Sequence, residues 1–112
     1  MPADKAKMIK DALDGLDDQV VGVVGDFVKR RREHYEKAVK KLHQSLKKDV
    51  QRYTEMLADK KIKQDDYEML MKGRYAQMKI ELLSELSISK AKFEDIVGEV
   101  LKMTLKVALA VI

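Results

Sequence analysis

The chain has 112 residues, of which 46% are hydrophobic and 38% charged, with five glycines, one proline and no cysteine. That length suits a single domain, 1–112, with its own core, and the lack of cysteine excludes disulfides, thiolate metal sites and cysteine nucleophiles. The formal net charge of +4 is unevenly placed: residues 1–28 hold three Lys against six Asp, residues 29–63 thirteen Lys or Arg against five acids, and residues 64–112 seven against eight.

A composition rich in Ala, Leu, Lys, Glu and Met, with its one proline at Pro2, predicts helix throughout. From Ile9 to Leu57 apolar residues recur at steps of four and three, through Leu13, Leu16, Val20, Val24, Phe27, Tyr35, Ala38, Leu42, Leu46 and Tyr53. Arg31 and Asp49 are the two polar members of the series. The mean step is about 3.7, an eleven-residue type of repeat whose stripe runs almost straight along a helix. This predicts one long helix over about 4–59, capped near Asp4, a rod of roughly 75 Å at about 1.5 Å per residue. Gly15, Gly22 and Gly25 lie inside it, and a break at 15–18 with Asp17 as a restart cap is the competing reading. The apolar phase passes the glycines unshifted, which favours continuity.

Two later boundaries resemble each other at an offset of 26 residues. With Lys63 and Ser89 as N-caps, Ile62 and Ile88 fall just before the cap, and Tyr67 and Phe93 fall at the fourth helical position. That is the spacing of a hydrophobic staple. Helices over about 64–86 and 90–111 follow, packed antiparallel to the long helix in an all-α, elongated, coiled-coil-like bundle. The third helix either continues collinear with the second or folds back, and folding back would leave the amino-terminal stripe for another chain to cover.

Catalytic and metal constellations are not found. His34 and His43 are nine apart, off the i, i+4 face that a metal pair needs, and read as helix-surface residues. The Asp17-Asp18 and Asp65-Asp66 pairs diverge by about 100° on a helix, so they suit capping rather than acid–base work. The expectation is no enzyme activity and no cofactor.

The basic middle is the strongest lead to a ligand. Lys37, Lys40, Lys41, Lys47, Lys48 and Arg52 recur at helical spacing and form a candidate surface for an anion or an acidic protein partner. Nucleic acid is a second candidate ligand, although no aromatic residues interleave with the stripe. The carboxyl end, Val107 to Ile112, is free of charge; its six residues fall far short of the ~20 of a transmembrane helix. Val20, Val24, Phe27, Val107, Val111 and Ile112 are therefore the candidate oligomer interface. The expected protein is cytoplasmic and self-associating, a dimer or higher oligomer, acting as an assembly, adaptor or structural subunit. A nucleic-acid-associated protein and a peripheral membrane coat using the carboxyl end are the alternatives.

Overall fold

The computed structural model describes residues 2–85 and 88–112. Five helices account for most of them: α1 (Pro2–Asp14), α2 (Asp17–Phe27), α3 (Arg32–Ala58), α4 (Gln64–Glu85) and α5 (Lys90–Val111). No strand occurs among the described residues, and the principal extents are 46 × 23 × 19 Å.

The long amino-terminal helix expected over 4–59 is three helices, the longest of 27 residues. The first interruption is at Gly15-Leu16, where Leu16 N–H bonds to Leu13 O at 3.1 Å, a tightened three-residue step. Asp17 is not a restart cap there, since Leu16 takes that place without a side-chain bond. The second interruption reverses the chain. Val28 is extended and Arg31 adopts the left-handed conformation, φ 56° and ψ 32°. Arg31 is one of the two polar members of the stripe. A four-residue turn occupies about as many residues as one helical turn, so the apolar phase survives a reversal that it cannot reveal. The start also shifts. α1 begins at Pro2, ahead of Asp4, because proline at the first helical position has its φ preset and no N–H to lose.

The α3–α4 turn closes with a Schellman motif, Lys61 N–H to Met56 O at 2.9 Å and Lys60 N–H to Leu57 O at 3.1 Å, with Lys60 left-handed at φ 60°. Lys63 takes the N-cap place of α4, its N–H bonding Asp66 Oδ2 at 3.3 Å. Ser89 caps α5 by accepting from Lys92 N–H. Tyr67 and Phe93 are fully buried, and Ile62 and Ile88 pack at the edge of the same core. Position 86, the expected end of the second helix, lies outside the described residues.

Each arm runs antiparallel to the one before it. Asp17 meets Lys47 across α2 and α3, Thr54 meets Tyr67 across α3 and α4, and Tyr75 meets Thr104 across α4 and α5. α5 folds back and packs on α1 and α2 as well as α4, which closes a four-cornered bundle whose first corner is the bent α1–α2 arm. The amino-terminal stripe is thus covered by the chain's own α3 and α5, with Ile9, Leu13, Leu16, Val20 and Val24 at most 1% exposed. No second chain is needed to bury it.

Candidate interaction surfaces

The six cations of the expected basic stripe do not form one surface. Lys37, Lys41, Lys48 and Arg52 fall along the outer face of α3, while Lys40 and Lys47 turn toward α2. Lys47 Nζ sits 2.9 Å from Asp14 Oδ1 and 2.8 Å from Asp17 Oδ1, in an internal clamp. Arg52 is 3.4 Å from Asp49 Oδ1 and lies over the Tyr53 ring. Lys41 is engaged within the chain as well. Lys37 and Lys40 line an open groove of about 580 Å³ together with Asp17, Asp18, Glu33 and Glu36, so acids outnumber bases around it. Lys47, Arg52 and Lys41 of the cationic row are thus engaged within the chain, while Lys37, Lys40 and Lys48 remain exposed.

His43 corrects a second expectation. It is 2% exposed, not on the surface. Its Nε2 is 3.1 Å from Leu13 O and 3.0 Å from Asp17 Oδ1, and because both are acceptors the imidazole donates through Nε2–H. Lys47 Nζ donates to Asp17 Oδ2 at 3.1 Å, while Asp17 Oδ1 meets His43 and Lys47 without an aligned hydrogen bond, an electrostatic contact. The Lys47 hydrogen bond holds the Asp14 carboxyl below its usual value of 3.8. At Lys47 burial pulls the ammonium down, but the bonds to Asp17 and Asp14 outweigh it and the net direction is up. This cluster fastens the α1–α2 bend to α3. Among the described residues no group of three or more His, Cys, Asp or Glu is placed to hold a metal.

Two buried hydroxyl pairs hold α4 on its other side. Thr54 Oγ1 lies 2.8 Å from Tyr67 Oη, and Tyr75 Oη donates to Thr104 Oγ1 at 3.2 Å. Each threonine hydroxyl also reaches the carbonyl four residues back, Val50 and Val100. Burial pushes the Tyr75 phenol up to about 12, and moves Tyr67 upward too. Asp49, the second polar member of the stripe, stays in α3 and pairs with Arg74 of α4 at 2.8 Å.

The expected oligomer interface divides in two. Val20 and Val24 are core residues, 0% exposed, and cannot meet another chain. Val28 takes the buried place that spacing assigns to Phe27, which is 36% exposed. Val107 and Val111 are half-buried and Ile112 is exposed; Val107 lines a shallow groove between α2 and α5 with Gln19, Met103 and Ala110.

The two most exposed large apolar side chains among the described residues lie on the outer side of α4. Met69 and Ile80 on α4 are 72% and 66% exposed, and Gly73 and Ala76 between them are exposed as well. A Cβ added at Gly73 would meet nothing within 4 Å. Spaced four, three and four, these residues lie within about 60° of one another and roughly opposite the buried Tyr67, Met71, Tyr75 and Leu82. The signal was present as apolar residues on α4 in excess of one face.

Searches find no match to the chain among protein-family models, curated proteins or solved structures. No described helix is long and apolar enough to cross a membrane.

Proposed function

We propose that the chain is a non-enzymatic helical module that associates with itself, serving as an assembly, adaptor or structural subunit, with the outer face of α4 as its contact surface. One observation carries the reading: opposite its buried face α4 carries a second, narrower apolar stripe, and only the inner face is covered. A helix apolar on both sides calls for a second partner. The outer face is ordered large, small, small, large and reads the same in both directions. Two copies related by a twofold axis would therefore cross at Gly73 and Ala76, where small residues permit close approach, and place Met69 of each against Ile80 of the other.

Light scattering across a concentration series tests it. The expected mass exceeds the 12.9 kDa of one chain, and Ile80→Glu returns it to the monomer value with helicity unchanged, since the side chain is outside the core. A wild-type monomer at every concentration overturns self-association.

A further inference from the structure

We propose that the α2–α3 turn, together with the start of α5, binds the phosphate backbone of a single-stranded nucleic acid. Lys29, Arg30 and Arg31 are consecutive, exposed, and without an ion-pair partner among the described residues. They differ in this from Lys47, held by Asp14 and Asp17 across helices, and from Arg52, paired with Asp49 on its own helix. Arg32 steps back from the tip, pairing with Glu36 at 2.7 Å.

The fold adds two cations from far along the chain. Tyr35 Oη accepts the Ser89 N–H at 2.8 Å, which fixes the start of α5 against the first turn of α3. Exposed Lys90 and Lys92 thereby join the same end of the bundle. Asp26, Glu33 and Asp95 are exposed at this end too, so attraction is limited to ligands with closely spaced charges, as along a phosphodiester chain. Phe27, 36% exposed, stands just before the cations. An aromatic face beside cations is the combination that stacks an unpaired base while neighbouring phosphates are neutralised. A bilayer would gain little here, because among the described residues Phe27 is the one exposed large apolar side chain at this tip.

Arg31 supplies the sharpest test. Its left-handed backbone is one that glycine adopts more readily than arginine, so folding alone would favour glycine. Lys60 has the same backbone conformation at the opposite end of α3 and serves as the control. Anisotropy of a labelled single-stranded oligonucleotide is read against salt. Five cations at about 0.7 per phosphate set an upper slope near 3.5 in log K against log salt. Replacing Lys29, Arg30 and Arg31 by Gln should lower that slope by about 2. Arg31→Gly should raise Tm yet weaken binding severalfold, whereas Lys60→Gly should raise Tm and leave binding unchanged. Phe27→Ala should weaken binding without altering the slope. The proposal is overturned by a wild type that does not bind the oligonucleotide at low salt, by Arg31→Gly binding as wild type does, or by capture on anionic phospholipid vesicles in place of the oligonucleotide.

Discussion

The bent α1–α2 arm and the α4–α5 hairpin pack against the same central helix, but their polar anchors are of opposite kinds. The hairpin's fully buried anchors are neutral hydroxyls, Tyr67 with Thr54 and Tyr75 with Thr104, each threonine satisfied a second time by a backbone carbonyl, and the part-exposed Arg74–Asp49 ion pair joins them at the α3–α4 edge. The arm is tied by charge: Asp14 and Asp17 on Lys47, with His43 beneath them. Asp14 keeps 45% of its side chain exposed. A neutral buried pair gains from the low dielectric around it, while a partly exposed ionic one is screened by water and salt. Helix ends follow the same division. Ser89 caps α5 with its side chain, whereas α2 begins at Leu16 with no side-chain cap. The hairpin should therefore be the more persistent half, and the arm the half that responds to solution conditions.

The largest effect expected on this contrast is from Phe93→Ala. Phe93 is 0% exposed in the first turn of α5, and emptying a buried aromatic site usually costs about 3–5 kcal/mol. Because α5 packs on both the arm and α4, the loss should appear as a lower midpoint of the whole denaturant transition. If Phe93→Ala unfolds like wild type, α5 is not the element that joins the two halves.

Tyr75→Phe comes next. It removes one buried hydroxyl but leaves Thr104 Oγ1 bonded to Val100 O, so no group is orphaned and the cost should be about 1 kcal/mol. Thr104→Val in the same background should then add little, since the pair has already been broken. Full additivity of the two in a double-mutant cycle would show that the hydroxyls do not act together.

The legible and illegible parts of this fold separate along physical lines. Local signals located the starts of α4 and α5, because a staple and its cap are built from residues only a few positions apart. The reversal at 28–31 was illegible, since a four-residue turn leaves the apolar phase intact and carries no glycine or proline. Arg31 was its one mark, a polar break in the stripe that reads equally well as a tolerated exception. His43 was misread because its burial depends on Leu13 and Asp17, 30 and 26 positions away, brought over it by that unseen reversal. Within the basic row Lys47 is set apart for the same reason: it looks like its neighbours until Asp14 and Asp17 arrive. The outer face of α4 was written in the sequence, at Met69, Gly73, Ala76 and Ile80, but a pattern search that stops at one apolar face per helix does not see it.

The smallest effect is on the charged clamp, and its sign can be worked out. Asp14 has a folded-state pKa below its ordinary value, chiefly through the Lys47 hydrogen bond. Its contribution is present above that ordinary value, 3.8, and is lost as pH falls through the folded one. Lys47 is shifted upward from 10.5, so its contribution is complete below that value and fades as pH rises beyond it. On the alkaline side the hairpin also weakens, because Tyr75 ionises at about 12 in the fold against 10.0 when unfolded. Only the acid side separates the two halves. Hydrogen exchange, corrected for intrinsic rates, should show α1 and α2 losing protection as pH falls below 3.8, while α4 and α5 keep more of theirs. Lys47→Gln should weaken protection of the arm at neutral pH and abolish its acid response, and high salt should move the wild type in the same direction. Should both halves lose protection together in the wild type, the clamp is not what distinguishes them.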